Sequence, residues 1–364
     1  MTLSFTTTES TTQKSDAARA EILAAPGFGI HFTDHVAAVD WTIDDDWHNA
    51  RIEPYAPLQV DPASAVLHYG QEIFEGMKAY RQEDGSVWTF RPDQNAKRLQ
   101  RSAERLALPQ LPEDTFIEAV QRLVEIDERW VPGGEEQSLY LRPFMIANEV
   151  FLGVRAAHRA LFMVIASPVG AYFPKGVKPV NIWLSTDYNR AGKGGTGAAK
   201  CGGNYAASLL PTQIAQKNGC SQVLFLNDSG DGAIEELGGM NIVLVRDDGT
   251  LITPQSDSIL NGVTRNSLLQ LAEDAGHKVE QRPVTLNEWR DGVASGSIVE
   301  AFACGTAAVV TPIAQLRGED FSIGQEDAEP GEVTLALRKQ LTDIQYGRAE
   351  DRHGWMHQLT EAHA

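Results

Sequence analysis

The chain has 364 residues, long enough for two domains with cores of their own, and its 31 lysines and arginines against 49 aspartates and glutamates leave a formal charge of −18 at pH 7. That acidic balance disfavours nucleic acid and anionic membrane as partners, because phosphates are bound by clustered Lys and Arg, and it points to small molecules instead. The three cysteines, Cys201, Cys220 and Cys304, form no Cys-x-x-Cys pair, so neither a disulfide framework nor a zinc site is expected and a reducing, cytoplasmic setting fits best.

Residues 1–20 are mostly Thr, Ser and other polar types, with neither the apolar core of a secretion signal nor an arginine-rich presequence, and they read as a disordered tail. From Phe28 to Tyr55, short apolar-polar runs alternate with turns, which predicts an early antiparallel sheet. His31 and His35 stand four apart in a β-branched and aromatic context that opposes a helix, and Asp44-Asp45-Asp46 reads as a solvated turn, so no metal is predicted. Asp61 to Tyr80 carries an apolar face from Leu67, Ile73, Phe74 and Met77, and Trp88 to Phe90 reads as a strand. Pro92 and Asp93 open a helix through Leu106, with Ala96, Leu99, Ala103 and Leu106 as its core stripe and Arg98, Arg101 and Arg105 elsewhere around it. A second amphipathic helix is predicted over 114–130, followed by strands at 139–147 and 160–169. The latter run, extended to Phe173, falls short of the ~20 apolar residues that span a bilayer, so no membrane is expected.

The stretch Val169 to Gly176, bearing Pro174 and Gly170, marks a boundary between two strand-rich halves. Beyond it come a strand at 180–186, a glycine-rich loop at 191–203, a helix from about Asn204 and a strand at 222–227. A hairpin turns at Asp247-Asp248-Gly249, a helix opens at Gly262-Val263-Thr264, a strand pair at 298–313 is interrupted by Gly305, and a last amphipathic helix starts near Pro330.

The loop and its flank, Ala191 to Ser208, differ most from their surroundings: six glycines, two lysines and a tyrosine within eighteen residues. Glycine is placed where the backbone must come close to something or take positive φ. A lysine in such a loop, Lys200, can be partly desolvated, which lowers its pKa and leaves amine free to attack a carbonyl. A solvated surface loop satisfies the same eighteen residues. A nucleotide phosphate loop does not, since Lys200 is followed by Cys201 rather than Ser or Thr.

Gly194-Gly195-Thr196-Gly197, Lys200 and Gly202-Gly203-Asn204-Tyr205 together resemble the signature of branched-chain amino-acid aminotransferases, the fold-type IV family of pyridoxal-phosphate enzymes, and similarity extends from about Phe28 to the last helix. The resemblance implies a mixed α/β fold: a smaller N-terminal α/β domain over 21–170, an interdomain loop at 171–181 and a larger C-terminal pseudo-barrel domain over 182–364 that binds pyridoxal 5'-phosphate. It implies reversible transfer of the amino group from L-leucine, L-isoleucine or L-valine to 2-oxoglutarate by a ping-pong route, the last step of branched-chain amino-acid synthesis or the first of degradation. A homodimer would complete the site.

By the same resemblance Lys200 is the Schiff-base lysine and the general base for the α-proton. Glu236, in Ile234-Glu235-Glu236-Leu237-Gly238-Gly239-Met240-Asn241, is the partner of the ring nitrogen, with Glu235 as the adjacent alternative. Two unpaired carboxylates side by side in a core are costly, so only one is expected to point inward. Tyr205 would donate to the ring oxygen. The phosphate would be met by the backbone N–H groups of Val263 and Thr264 at a helix start, by Thr306 and by Arg98. Phe28, Tyr69, Tyr140 and Tyr172 would form an apolar pocket, with Leu152 and Val154 reaching in from the neighbouring subunit. Arg142 would hold the distal carboxylate of glutamate, and Thr306 with Ala307 the α-carboxylate. An apolar pocket separates Leu, Ile and Val poorly, since one methylene is worth only ~1–3 kcal/mol.

Several positions depart from family patterns. Ala308 and Thr311 stand where some members have a Cys-x-x-Cys thiol switch, so none is expected; Pro211 falls inside the helix after Tyr205; and Gly239 replaces a threonine of some relatives, widening the pocket. Rival readings are a D-amino-acid aminotransferase or an aminodeoxychorismate lyase on the same fold, a hydrolase using Cys201, and a cofactor-free binding module.

Overall fold

The computed structural model describes residues 3–173 and 176–362; Pro174 and Lys175, within the expected connection at 171–181, and Met1 and Thr2 of the expected tail lie outside the described residues. By its contacts the chain divides into two units, Met1–Tyr172 with Ala199–Gly202 and Ile344–Ala364, and Phe173–Ala198 with Gly203–Asp343.

The first unit is built on a nine-stranded sheet. Its centre pairs Ser138–Ile146 with Arg159–Val169 over nine register positions, and Arg159–Val169 with His35–Thr42, which in turn pairs with Asp46–Pro54. These strands alternate apolar residues toward the helices Pro92–Arg105 and Glu113–Ile126, giving a core in which Phe116, Phe162, Leu99, Leu123 and Trp130 are fully buried. The helix expected over 114–130 stops at Ile126 and finishes as a 3-10 turn at Glu128–Trp130. The apolar face expected over 61–80 resolves into a short helix, Ala65–Tyr69, and two strands, Glu72–Phe74 and Met77–Arg81. A helix is stopped there by Gly70, whose left-handed φ of 56° ends the first turn and sends the chain into the sheet.

Two further features correct the sequence reading of this unit. The chain from residue 3 to residue 20 is not a disordered tail. Thr6–Thr7 pairs in parallel with Arg51 and Ile52, and Ser15 caps the helix Asp16–Ala24 by accepting from Ala18 N–H. Buried polar groups hold this segment: Ser10 N–H donates to His35 Nε2 at 2.9 Å, His35 Nδ1 lies 2.7 Å from Asp127, and Lys14 N–H donates to Asp34 Oδ1 at 3.0 Å. Asp34 also accepts from Trp130 Nε1 at 2.8 Å, and these hydrogen bonds lower its carboxyl pKa against the opposing effect of burial. Composition could not reveal this, because backbone N–H groups of the segment reach partners far along the chain, while only Leu3 and Phe5 add apolar contact with the core. The C-terminal end, assigned by sequence to the second domain with the rest of 182–364, instead adds the strand Met356–Thr360 to Val87–Phe90 of the first sheet.

The second unit carries its own nine-stranded sheet, in the order Ile234–Leu237, Gln222–Leu226, Val180–Ser185, Val309–Arg317, Ile298–Gly305, Asn241–Arg246, Leu251–Pro254, Val279–Arg282, with Ser322–Gly324 beside Val309–Arg317. The sheet is mixed: Val180–Ser185 runs parallel to both neighbours, whereas Asn241–Arg246 and Leu251–Pro254 form the hairpin around Asp247-Asp248-Gly249, with Gly249 at φ 79°. Its core gathers Ile182, Leu184, Leu224, Leu237, Leu244 and Leu316. Helices Gly202–Lys217, Val263–Asp274, Leu286–Ser295 and Glu332–Gln345 follow the strands, and Pro211 sits within the first of them.

Candidate active site

In the first unit the backbone of Lys200 is clamped by hydrogen bonds on both sides. Its N–H donates to Ser102 Oγ at 2.9 Å and its C=O accepts from Phe74 N–H at 2.9 Å. Gly202 N–H donates to the Glu72 carboxylate, and a side chain at 202 would have to displace that carboxylate. The lysine is therefore presented from a fixed backbone between the strand Glu72–Phe74 and the helix Pro92–Arg105.

Around its side chain stand Phe74, Glu75, Arg98, Tyr140 and Arg142. The Nζ lies 4.7 Å from the Phe74 ring centroid, and Arg142 stacks on the same ring at 4.8 Å. Burial and then the Arg98 and Arg142 charges push the Lys200 amine down to about 8, against the opposing effects of Glu75 and Tyr140. Arg98 is buried rather than solvent-facing, and its guanidinium donates through Nε and Nη2 to the two oxygens of Glu75, at 2.8 and 2.7 Å. Arg142 donates from Nη2 to Tyr140 Oη at 3.0 Å, its Nε is buried with no partner, and Glu72 is near enough for its charge to act on it, without a salt bridge among the described residues. Phe28 packs on Tyr140 with ring centroids 5.4 Å apart, and Tyr69 donates to the Leu152 carbonyl. Tyr69, Tyr172, Leu152 and Val154 are exposed, Val154 at 89%. The structure thus gathers Lys200, Arg98, Tyr140, Arg142 and Phe28, pairs Tyr69 with Leu152, and leaves Tyr172 and Val154 at the surface.

The second unit holds the acids. Both Glu235 and Glu236 are buried, at 2% and 3% exposure, so the expectation that only one points inward fails. Each has its own means of tolerating burial. Glu236 Oε1 lies 2.7 Å from Arg190 Nη2 and accepts from Leu260 N–H at 2.8 Å, while its Oε2 accepts from Asn241 Nδ2 at 3.0 Å. Glu235 relies on hydroxyls: Ser258 Oγ donates to Oε1, Oε2 has no partner, and burial raises the carboxyl pKa toward the neutral acid despite Ser258, Arg190 and Ser256. Of the two, Glu236 is the supported carboxylate.

Asn241 also donates to the Leu260 carbonyl at 3.0 Å, which ties the acid strand to the start of the helix Val263–Asp274. Gly262 caps that helix where a Cβ would fall 2.0 Å from Asn241 Oδ1. The first-turn N–H groups of Val263 and Thr264 lie at the positive end of a twelve-residue helix, an arrangement suited to an anion. Thr306 and Ala307 lie not in a strand but in the turn between Ile298–Gly305 and Val309–Arg317, followed by Val309 at φ 61°, a costly conformation for a β-branched residue. A Cβ on Gly239 would sit 3.6 Å from Tyr205 Cε1, so the space a threonine would occupy there adjoins the Tyr205 ring.

Sequence reasoning missed Glu75, Arg190, Asn241 and Ser258. Glu75 alone left a local signal, a carboxylate between Phe74 and Gly76 within an apolar run. Cys201 lies buried in the apolar core of the first unit, and Cys304 is buried with its thiol pushed up to about 12, which suits neither to nucleophilic attack. No group of three or more potential metal ligands occurs among the described residues.

The family model for amino-transferase class IV matches residues 72–316. A branched-chain-amino-acid aminotransferase of Mycolicibacterium smegmatis is 54% identical over 362 residues, covering 98% of both chains, and one of Mycobacterium tuberculosis is 52% identical over the same span and coverage. Among solved structures, the branched-chain amino acid aminotransferase of Thermobaculum terrenum in its PLP form superposes with a TM-score of 0.74 at 25% identity, covering 90% of this chain and 99% of that one.

Proposed function

The chain belongs to the branched-chain-amino-acid aminotransferases of amino-transferase class IV, and from that premise we propose that Lys200, Glu236 and the anion-binding groups named above serve pyridoxal 5'-phosphate in transamination between L-leucine, L-isoleucine or L-valine and 2-oxoglutarate. The observation that carries the reading is Lys200: a clamped lysine whose amine is lowered to about 8 by burial and by Arg98. At neutral pH such a lysine has far more free amine than an ordinary one, as covalent attachment to a carbonyl requires.

The donor set fits the cofactor. Arg98 and the N–H groups of Val263 and Thr264, with the Thr306 hydroxyl, would hold the phosphate, Glu236 the protonated ring nitrogen and Tyr205 the ring oxygen. Pyridoxal phosphate supplies the electron sink and carries the amino group between the two half-reactions. The protein's part is positioning and proton transfer. The Lys200 amine takes the proton from the substrate Cα, and Glu236, supported by Arg190, Asn241 and Leu260 N–H, stabilises positive charge at the ring nitrogen. Phe28, Tyr69, Tyr140 and Tyr172 would enclose the aliphatic side chain. Arg142, whose Nε is buried without a partner and which forms no salt bridge among the described residues, would take the distal carboxylate of glutamate. Thr306 and Ala307 would meet the α-carboxylate.

The same reading includes a cytoplasmic homodimer with Leu152 and Val154 reaching the neighbouring site. It is supported by apolar side chains left in water: Leu152 at 64%, Val154 at 89% and Leu209 at 65% exposure. No helix among the described residues is long and apolar enough to cross a membrane.

The test is the visible spectrum of protein loaded with pyridoxal 5'-phosphate before and after L-leucine, without any oxo acid. Wild type is expected to be yellow and to bleach on leucine, and Lys200→Ala to show no such turnover. Wild type that takes up no cofactor would sink the reading. Bleaching by a D-amino acid but not by leucine would transfer the protein to the D-specific rival. Sedimentation velocity, with Val154→Glu as the perturbing variant, tests the dimer; a wild-type monomer overturns it.

A further inference from the structure

Glu75 is the most completely buried carboxylate beside Lys200, at 0% exposure, and the roles assigned above do not use it. It lies between the strands Glu72–Phe74 and Met77–Arg81, and its own N–H donates to the Pro143 carbonyl at 2.7 Å, so its backbone is tied to the neighbouring strand Ser138–Ile146. The following glycine lies close against the Tyr140 side chain, since a Cβ at Gly76 would fall 2.3 Å from Tyr140 Oη. Its carboxylate meets one helix twice: Arg98 donates through Nε to Oε1 and through Nη2 to Oε2, and Asn95, one turn earlier, donates to Oε2 at 2.7 Å. A two-toothed carboxylate fixes both the plane and the rotation of a guanidinium, which a single contact does not.

We propose that Glu75 is a positioning residue for recognition of the cofactor phosphate: it locks the Arg98 guanidinium in the orientation that meets the phosphate and offsets the Arg98 charge beside Lys200. The inference rests on the reading of Arg98 as a phosphate arginine. It has a second consequence, because Glu75 raises the Lys200 amine while Arg98 lowers it. Loss of the Glu75 charge must send the amine below its value of about 8.

The experiment compares binding of pyridoxal 5'-phosphate and of pyridoxal, which lacks the phosphate, to apoprotein of wild type, Glu75→Gln and Arg98→Met, by visible absorbance across pH. Glu75→Gln is expected to weaken binding of pyridoxal phosphate about tenfold, the loss of one charge-assisted contact, and to leave pyridoxal within about twofold. The pH midpoint for reaction with pyridoxal is expected to fall below that of wild type. Adding Glu75→Gln to Arg98→Met should not reduce the preference for pyridoxal phosphate further. Equal losses for both ligands would mean a merely structural residue and overturn the proposal, as would an unchanged preference. If Glu75→Gln does not fold, Glu75→Asp, which keeps the charge but cannot span the same fork, must show the phosphate-selective loss at smaller size; equal losses there overturn the proposal as well. Wild type that binds neither ligand removes the functional reading first and this inference with it.

Discussion

The two buried ionic clusters of this protein solve one problem with opposite signs. In the first unit the cations Lys200, Arg98 and Arg142 outnumber the acids Glu75 and Glu72, and the surplus is cationic; in the second, Glu235, Glu236 and Asp228 outnumber Arg190 and Arg265, and the surplus is acidic. Burial is the leading cause of the pKa shift in both, and it penalises the surplus charge. The first cluster responds by lowering Lys200 to about 8, the second by raising Glu235 toward its neutral form. Each keeps one well-supported ion pair, Glu75 with Arg98 and Glu236 with Arg190. A cationic surplus suits a phosphate or a carboxylate, and an acidic one suits a protonated ring nitrogen.

Removing the central group of the cationic cluster gives the largest expected effect. Lys200→Ala should lower kcat for leucine with 2-oxoglutarate by at least about 10⁴-fold, the upper range for a lost proton-transfer group, here combined with a lost attachment point. Retention of a tenth of the activity would show that another base does the work. Next comes the contrast between the two acids. Glu236→Gln should cost about 10²-fold in the rate of the leucine half-reaction, as removal of one preorganised charge does elsewhere, and Glu235→Gln less than about threefold, because its carboxylate meets Ser258 and carries no proposed role at the ring nitrogen. Equal losses measured by stopped-flow absorbance would erase the distinction between them.

Arg142→Met probes the cationic cluster from the side proposed to meet the second substrate. KM for 2-oxoglutarate should rise about tenfold or more while KM for leucine stays within about twofold, since only the dicarboxylate has a distal charge to lose. The pH dependence is smaller but specific. Apoprotein should react with pyridoxal along a curve centred near 8 rather than at the ordinary lysine value of 10.5. The sign for stability follows. With the folded value depressed, the folded state releases its proton between about 8 and 10.5 while the unfolded chain keeps it, so the Lys200 contribution to stability rises with pH across that window. Lys200→Met should therefore stabilise the apoprotein most below pH 8, by about 1–3 kcal/mol, and least above 10.5, as urea unfolding at several pH values would show. Glu235 gives the mirror image. Its raised carboxyl costs stability once pH exceeds the ordinary value of 4.5, so the stability of Glu235→Gln relative to wild type should grow with pH. A pH-independent difference would show that folding does not raise the Glu235 carboxyl.

Local sequence carried much of this. Glycine spacing around Lys200, the helix start at Gly262-Val263-Thr264, the hairpin at Asp247-Asp248-Gly249 and the alternation of the central strands are properties of neighbouring residues, because they depend on φ, on helix ends and on a two-residue period. Family resemblance then attached roles to Lys200, Arg98, Tyr205 and Glu236. Long-range contact decided the rest. Glu75 meets Arg98 across 23 residues, Arg190 reaches the Ser258 carbonyl across 68, and Ser10 reaches His35 across 25. No local pattern encodes such pairs, since either member alone looks like a surface charge or a polar tail. Burial of both glutamates belongs to the same class: whether a carboxylate can be buried depends on the donors that the fold brings to it, here Arg190, Asn241 and Leu260 N–H for Glu236 and Ser258 for Glu235. The sequence by itself determined which backbone segments can bend, cap and alternate; the tertiary structure alone decided which charges are desolvated together, and hence which lysine and which glutamate change their proton affinity.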